Sequence, residues 1–231
     1  METKRSKFIN DGFIKIDQLI TAEEVDTLRT IYDKLLQDKV KTAHLRSDLA
    51  GADTSEDRKV ERITQIMRPS TIAKELIKNS AYKKAEQWAK ALLGEDMELD
   101  FDMMINKAPN TNTPTPWHQD AAYWIAMPDK RSASCWIALD KVFEENGCMW
   151  FIPKTEGKPI LPHKNLPNGG ALYCETDSSK ALSIPLNPGG CTFHDGFTLH
   201  FSQGNTTDTQ RRALILNFRP KKMIEFEREQ G

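Results

Sequence analysis

One short stretch places two potential metal ligands almost side by side. Residues 113–124 read TPTPWHQDAAYW, so a single residue separates His118 from Asp120. On a strand, side chains two residues apart point to the same face, so this imidazole and this carboxylate could reach one metal ion. A His-x-Asp triplet is also common by chance, and a polar pair at a strand end is the simpler interpretation. The choice depends on whether the chain supplies a third ligand.

The last third of the chain supplies a candidate ligand and a candidate anion-binding cation. His200 lies eighty residues after Asp120, and Arg211 follows eleven residues later. Two imidazoles and one carboxylate on one face are typical of non-haem Fe(II) oxygenases and leave three coordination positions open. A 2-oxoglutarate co-substrate would take two positions and would need a cation for its distant carboxylate. Arginine suits that task because its guanidinium pairs a carboxylate through two hydrogen bonds and keeps its charge.

The first ninety-six residues, which must support this site, are predicted to be mainly helical. The segment TAEEVDTLRTIYDKLLQ opens with a capping box formed by Thr21 and Glu24. Its apolar stripe consists of Val25, Leu28, Tyr32 and Leu35. A second helical region is expected to break near Asn79 and to end at Gly94. The charged segment between them, residues 37–62, is either a solvated loop or a flap over a site.

After residue 97 the pattern changes to short strands. In ELDFDMMINKAP the apolar side chains alternate, with Leu99, Phe101, Met103 and Ile105 on one side. The dipeptide Asn146-Gly147 is a strong hairpin signal. Further strands are predicted at SASCWIALD, GGCTFHDGFTLHFS and RRALILNFRP. Short strands preceded by helices predict an α+β fold, a β-sandwich or barrel with N-terminal helices packed on one sheet.

The strand predicted at RRALILNF separates two neighbouring arginines. Alternation puts Arg211 on a mixed face with Ala213, Ile215 and Asn217, which suits a co-substrate pocket. The other face carries Leu214, Leu216 and Phe218 and suits packing against another layer. Arg212 begins that apolar face and is expected to hold its guanidinium in solvent at the edge of the strand.

Composition narrows the classes of function. The chain has 231 residues, 39% hydrophobic and 28% charged, and a formal net charge of −1. This balance favours one domain spanning residues 1–231 with a buried core, and it disfavours nucleic acid as a partner. No apolar run has the length of a signal peptide or a membrane span, so a cytoplasmic protein is expected. The four cysteines form no CxxC pair and are interpreted as reduced, mostly structural thiols.

Together these motifs resemble the phytanoyl-CoA dioxygenase family of Fe(II)/2-oxoglutarate oxygenases. The similarity covers roughly residues 97–220 and includes WHQDAAYW, ENGCMWFIP and the spacing from LHFSQGN to RRALILNF. The resemblance implies a double-stranded β-helix, a jelly-roll or cupin-like barrel, as the core over 97–220, with residues 1–96 as helical support. It also implies Fe(II) as cofactor and 2-oxoglutarate and O2 as co-substrates.

The resemblance also assigns roles to single residues. His118, Asp120 and His200 match the iron ligands, which are also the catalytic centre. Arg211 matches the residue that binds the far carboxylate of 2-oxoglutarate, Ser202 its hydroxyl partner, and Trp136 a residue lining that pocket. His194, paired with Asp195, is a rival third ligand, but its distance to Arg211 fits the family less well. His44 and His163 are interpreted as loop residues, and Tyr123 and Trp124 as lining of the substrate cavity.

Two departures from the family pattern concern loops and the co-substrate. After WFIP the family usually continues with a Gly-Ser-His turn, whereas this chain reads KTEG, which bears on loop shape and not on iron. A basic family residue that contacts 2-oxoglutarate from upstream has three competing matches, Arg62, Gln65 and Arg68. Substrate contacts are expected in residues 38–62 and 154–188, which carry no readable motif.

The expected function is oxidation of a small-molecule substrate with release of succinate and CO2. Two other classes stay open, a non-catalytic small-ligand-binding protein on the same β-helix and a Zn or Mn hydrolase that uses the same ligands. A halogenase is disfavoured because related halogenases leave the position of Asp120 free for chloride.

Overall fold

A computed structural model of the chain describes residues 2–51, 61–154, 159–167 and 170–230. Within these residues the helices are α1 (Glu2–Asp11), α2 (Ala22–Leu36), α3 (Ser80–Leu93) and α4 (Lys221–Gln230). None of these described helices is long and apolar enough to cross a membrane.

The helices α2 and α3 begin where local capping chemistry predicts. The Thr21 hydroxyl accepts a hydrogen bond from the Glu24 backbone N–H at 3.3 Å, and the Glu24 carboxylate accepts from the Thr21 N–H at 2.8 Å. The predicted break is also confirmed, since the Asn79 side chain caps α3 by accepting from the Ala81 N–H at 3.0 Å. Gly94 ends α3 with a positive φ that disfavours other residues.

The described residues also form thirteen strands. They are β1 (Phe13–Ile16), β2 (Arg46–Asp48), β3 (Ile63–Met67), β4 (Met97–Lys107), β5 (Thr115–His118), β6 (Ala133–Ala138), β7 (Met149–Phe151), β8 (Lys164–Asn165), β9 (Leu172–Tyr173), β10 (Leu182–Ile184), β11 (Cys191–His194), β12 (His200–Ser202) and β13 (Arg211–Pro220). A seven-stranded antiparallel sheet has the order β1–β11–β6–β13–β4–β3–β2, and a four-stranded sheet has the order β10–β7–β12–β5. The two sheets form the predicted double-stranded β-helix.

The larger sheet separates two cores. Its outer face packs Cys135, Ile137, Leu214 and Leu216 against apolar side chains of α2 and α3. Its inner face turns Trp136, Ala138, Ala213 and Ile215 toward the smaller sheet. Each fully buried leucine or isoleucine contributes about 1.5–3 kcal/mol, so this alternation fixes which side of each strand faces the interior. The expected packing of helices on one sheet is therefore confirmed.

The N-terminal region is less purely helical than expected. It contributes three strands, β1, β2 and β3, to the two edges of the larger sheet. β1 pairs with β11, which lies in the last fifth of the chain. The predicted loop or flap over residues 37–62 contains β2, and its central part, residues 52–60, lies outside the described residues.

The hairpin expected at Asn146-Gly147 is wrong. Asn146 ends a short 3-10 turn, and its side chain accepts from the Phe143 N–H at 2.9 Å. Gly147 then takes a left-handed conformation with φ +89°, and a side chain there would collide with the Gln203 carbonyl. The flanking strands β6 and β7 belong to different sheets, so this turn joins the two sheets and does not pair neighbouring strands.

The strict alternation expected for β4 is also wrong at one point. Asn217 pairs with Phe101, but Phe218 pairs with Leu99, so Asp100 is an extra residue that forms a β-bulge. A bulge shifts the alternation by one residue, and Leu99 therefore packs with the outer core while Phe101, Met103 and Ile105 face inward. Asp100 turns inward as well.

Candidate active site

The smaller sheet brings two histidines together. His118 ends β5, His200 begins β12, and the two residues pair directly across these strands. Asp120 does not continue the strand, as alternation predicted, but begins a short 3-10 turn that ends at Tyr123. The Ala121 N–H donates to the Gly196 carbonyl at 2.8 Å and holds this turn in place.

Three side chains form a compact cluster suited to a metal ion. The potential ligand atoms of His118, Asp120 and His200 all lie within 4.8 Å of one another. Asp120 Oδ1 is 3.8 Å from His118 Nε2 and 3.4 Å from His200 Nε2. His118 Nδ1 lies 2.7 Å from the Pro116 carbonyl, and His200 Nδ1 lies 2.9 Å from the Thr198 carbonyl. A carbonyl only accepts, so each Nδ1 carries the proton and each Nε2 lone pair is free for a metal.

Burial and mutual charge set the protonation of this cluster. Burial, followed by the neighbouring His200, lowers the pKa of His118 to about 3, so its ring is neutral at ordinary pH. Burial acts to raise the pKa of Asp120, but His200 and His194 outweigh it and hold that pKa well below its usual value. An anionic carboxylate and a neutral imidazole are the forms that bind a divalent cation.

A polar row on the larger sheet faces the other oxygen of Asp120. His194, Ser134 and Asn217 are register neighbours on β11, β6 and β13. The Ser134 hydroxyl donates to Asp120 Oδ2 at 2.9 Å and accepts from Asn217 Nδ2 at 2.8 Å. His194 Nε2 lies 3.2 Å from the same Oδ2. His194, the rival third ligand, thus contacts Oδ2 of the carboxylate and is not part of the three-residue cluster.

The register predicted for β13 is confirmed at Arg211. Arg211, Ile215 and Asn217 line one cavity, whereas Leu214, Leu216 and Phe218 lie in the outer core. The solvent-exposed position expected for Arg212 is wrong. Its guanidinium donates to Asp140 Oδ1 at 2.8 Å and to Asp33 Oδ1 at 2.6 Å, which joins β13 to α2.

Arg211 is a buried cation with no carboxylate partner among the described residues. The residue is 1% exposed, and its Nε and Nη1 have no hydrogen-bond partner. Its Nη2 lies 3.5 Å from the Ser202 hydroxyl, and the guanidinium lies over the Trp136 ring at 5.2 Å. Burial lowers the pKa of Arg211 to about 10, so it stays charged at neutral pH.

A second buried basic side chain lies beside Arg211. Lys107 is the cross-strand neighbour of Arg211, and its Nζ donates to the backbone carbonyls of Thr113, Ser202 and Gln203. Burial, followed by the charge of Arg211, lowers the pKa of Lys107 well below its usual value. Arg211 is therefore the buried cation that lacks a carboxylate partner among the described residues, and such a cation is costly unless an anion joins it. The site fits an anion such as 2-oxoglutarate, with one carboxylate at Arg211 and Ser202.

One cavity of about 620 Å³ joins these features. It is lined by the cluster, by Arg211, Ser202 and Trp136, and by the predicted substrate-cavity residues Tyr123 and Trp124. Two of the three upstream candidates, Gln65 and Arg68, line it as well. Arg62 instead donates to the backbone carbonyls of Ala50 and Gly51.

The remaining histidines and Gln119 serve the surrounding loops. His44 is exposed, and His163 Nε2 accepts from the Gln119 N–H at 3.0 Å. The Gln119 side chain accepts from the Leu161 N–H and donates to the Phe197 carbonyl, so the middle residue of the HQD triplet anchors two segments. The prediction that His163 is a loop residue is confirmed, and the contribution of Gln119 was missed.

Sequence reasoning also missed the residues around Asp120 and at the far end of the cavity. Ser134 and Asn217 are ordinary polar residues within predicted strands, and only the pairing of β6 with β13 brings them to Asp120. Asp100 lines the cavity because of the bulge in β4, and Arg219 lines it because it continues the alternation of Ile215 and Asn217 on β13. The four cysteines, in contrast, are free and buried, as expected.

A family model and a curated relative match most of this chain. The family model described as phytanoyl-CoA dioxygenase (PhyH) matches residues 8–213. Peroxisomal phytanoyl-CoA dioxygenase of Rattus norvegicus is 22% identical over 228 residues, which cover 93% of this chain and 67% of that protein.

Solved structures of other proteins share the fold of this chain. EvdO2 from Micromonospora carbonacea var. aurantiaca, crystallised with 2-oxoglutarate, is 31% identical, with a TM-score of 0.76 over 94% of this chain and 90% of that chain. The epimerase SnoN, in complex with Fe3+, alpha ketoglutarate and nogalamycin RO, is 21% identical and shares the fold, with a TM-score of 0.73 over 94% and 82% of the two chains. With a match over most of its length, the chain belongs to the phytanoyl-CoA dioxygenase family and is a 2-oxoglutarate-dependent non-haem iron dioxygenase.

Proposed function

We propose that His118, Asp120 and His200 hold Fe(II) and that Arg211, Ser202 and Trp136 bind 2-oxoglutarate, for the oxidation of a small-molecule substrate. The observation that carries this assignment is that the ligand cluster and the unpartnered Arg211 guanidinium line the same cavity. A hydrolase that used the same ligands would have no need for a buried cation at this place. With iron bound, the site would supply the oxidation chemistry that converts 2-oxoglutarate and O2 into succinate and CO2.

The protein's own contribution is to position the reactants. His118 and His200 present Nε2 because each Nδ1 is tied to a backbone carbonyl. Asp120 presents Oδ1, since Oδ2 is already bonded to Ser134 and His194. A carboxylate that binds through one oxygen occupies one coordination position, which keeps three positions open for co-substrates.

Arg211 would orient 2-oxoglutarate through charge. Its Nε and Nη1 are buried donors that no described residue satisfies, and leaving such groups unsatisfied costs free energy. A carboxylate of the co-substrate would satisfy both, while Ser202 adds a hydroxyl donor from β12. Trp136 covers the guanidinium and shields it from water, which strengthens its attraction for an anion.

The assignment is tested by following succinate release from metal-free protein. Succinate should form slowly without any substrate when Fe(II), 2-oxoglutarate and O2 are all present, and omission of any one should abolish it. Zn(II) should not replace Fe(II). Undiminished turnover of a substrate under anaerobic conditions with Zn(II) alone would favour the hydrolase. Tight binding of 2-oxoglutarate with no succinate under any condition would favour a non-catalytic binding protein.

Two further expectations are proposed on the same basis. One is that residues 1–231 act as a single oxygenase domain, which is supported by the packing of α2 and α3 on the sheet that carries Arg211. The other is a location in the cytoplasm, supported by four free, buried thiols, which suit a reducing compartment.

A further inference from the structure

The strand β13 carries an arginine at each end of the active-site cavity. Arg211 and Arg219 both line it, and Asn217, which bonds Ser134 next to Asp120, lies between them. At about 3.3 Å per residue along the strand, Arg219 lies roughly 7 Å from Asn217. Arg211 lies about 20 Å from Asn217 in the opposite direction. The cavity therefore has a co-substrate end at Arg211 and a distal end at Arg219.

The two arginines differ in their partners. No described carboxylate pairs with Arg211, so the co-substrate end attracts an anion. Arg219 already binds two carboxylates, since its guanidinium donates to Asp100 Oδ2 and to Glu227 Oε2 of α4. The distal trio of Asp100, Arg219 and Glu227 thus has a formal charge of −1 and does not call for an anionic ligand.

Asp100 leaves one acceptor free at this end. Its side chain is only 3% exposed, yet it lines the cavity because the bulge in β4 turns it inward. Both hydrogen bonds from Arg219 end on Oδ2, and no described residue donates to Oδ1. Asp100 Oδ1 is not among the fully buried unsatisfied atoms, so it is accessible to a ligand in the cavity. An apolar ligand placed against it would remove the water that could otherwise satisfy it.

The surroundings of Asp100 also suit a polar ligand. Trp124 lies against the Arg219 guanidinium at 5.3 Å and keeps that guanidinium in place. Arg68 lines this end too, but its side chain is exposed, so solvent and salt screen its charge. The remaining recognition element is the free Asp100 oxygen, which accepts from an N–H or O–H group.

We propose that Asp100 is a specificity-determining residue and that the substrate binds it through a hydrogen-bond-donating amine or hydroxyl group. A hydrocarbon chain does not satisfy this end of the cavity. This inference rests on the proposed oxygenase function, because it assigns the substrate class of that same site. A protonated amine has the additional advantage of neutralising the negative trio.

The test compares classes of compound in one assay. Wild-type protein with Fe(II), 2-oxoglutarate and O2 is given a library of amino compounds, polyols and straight or branched acyl compounds, and succinate release is measured above the substrate-free rate. We expect stimulation by amines or by polyols, and the two arms separate these sources. Absence of the substrate-free succinate release would overturn the proposed function itself, so the two failures are distinguishable.

A substitution then links the stimulation to Asp100. Asp100→Asn should raise the KM of the stimulating compound roughly 10- to 100-fold, the usual worth of a hydrogen bond to a charged group. The iron content should stay unchanged, because Asp100 is not part of the ligand cluster. Glu225→Gln, at an exposed position of α4 that does not line the cavity, is the matched control and should leave this KM unchanged. If Asp100→Asn does not fold, the triple variant Asp100→Asn, Arg219→Gln, Glu227→Gln removes all three charges of the trio, leaves none of them uncompensated and replaces it.

Three results overturn the proposal. They are stimulation by acyl compounds alone, polar stimulation whose KM is unchanged by Asp100→Asn, and a library in which neither donor class stimulates while the substrate-free rate is intact.

Discussion

His194 Nε2 lies 3.2 Å from Asp120 Oδ2, whereas His118 and His200 approach Oδ1 of the same carboxylate. His194 is 2% exposed and lines the active-site cavity. His194 and Ser134 both contact Oδ2, which faces the larger sheet, and leave Oδ1 available to the proposed metal. His194 is therefore a positioning residue that acts through Asp120.

Loss of these contacts should weaken metal binding without removing a ligand. We expect Ser134→Ala and His194→Gln each to raise the dissociation constant for Mn(II), a redox-silent substitute for Fe(II), by about 10- to 100-fold, as is usual for partners of metal ligands. Titration of Mn(II) followed by its free-ion magnetic resonance signal measures the change. His44→Gln, at an exposed histidine, is the control and should bind Mn(II) as the wild type does. Unchanged Mn(II) affinity in both site variants would show that Asp120 binds the metal without help from its contacts with Ser134 and His194.

Asp120 itself should decide whether metal stabilises the fold. A ligand that binds only the folded state adds about 2.7 kcal/mol when its concentration is a hundred times its dissociation constant. Mn(II) should therefore raise the Tm of the wild type by several degrees and leave that of Asp120→Ala unchanged. Asp129→Ala, whose carboxylate pairs with Arg131 outside the cluster, should keep the shift. A full Mn(II) shift in Asp120→Ala would contradict its proposed role as a ligand.

Glu24 should make the free energy of unfolding depend on pH in the acidic range. The hydrogen bond from Ser80, followed by the Thr21 N–H and Lys84, lowers the pKa of Glu24 to about 2. Because the folded-state pKa lies below the ordinary value of about 4.3, this contribution is present above that pH and is lost as the pH falls toward 2. Urea unfolding at pH 5 and pH 3 should show a smaller loss for Glu24→Gln than for the wild type.

Glu23 provides the control for Glu24. It lies in the same helical turn, its side chain is exposed, and its hydrogen bond to Thr27 uses the backbone carbonyl. Glu23→Gln should therefore follow the wild-type acid dependence. An identical pH dependence in Glu24→Gln and wild type would show that the link between α2 and α3 does not titrate in this range.

Features set by local chemistry could be predicted from the sequence. The capping box at Thr21 depends on residues three apart, and the inward direction of Arg211 depends on simple alternation within β13. The HQD triplet and the spacing from His200 to Arg211 likewise pointed to residues that the fold does bring into one cavity. In each case the information lies within one element or in a motif quoted whole.

Features set by pairing between distant elements could not be predicted. Arg212 has its partners on α2 and after β6, 179 and 72 residues away, so no local pattern shows that it is paired. The β4 bulge exists because ten residues of β13 must pair with eleven of β4, and it alone turns Asp100 into the cavity. Ser134 and Asn217 become important only when β6 and β13 lie side by side.

Substitution of Arg211 should weaken 2-oxoglutarate binding, whereas substitution of its neighbour Arg212 should not. Arg211→Met removes the buried cation proposed to bind the far carboxylate of 2-oxoglutarate, and loss of such a charge pair costs about 2–5 kcal/mol. The 2-oxoglutarate dissociation constant should rise roughly thirty- to several-thousand-fold, while Mn(II) binding stays intact. Titration of 2-oxoglutarate into the Mn(II)-loaded protein measures it directly.

Arg212→Met should instead lower stability. It leaves Asp140 without its bidentate partner and cuts the link to Asp33 on α2, so the free energy of unfolding should fall by about 1–3 kcal/mol. Its 2-oxoglutarate affinity should stay within a few-fold of wild type, because its guanidinium lies on the outer side of β13. A large affinity defect in Arg212→Met with none in Arg211→Met would mean that the inner and outer faces of β13 are exchanged.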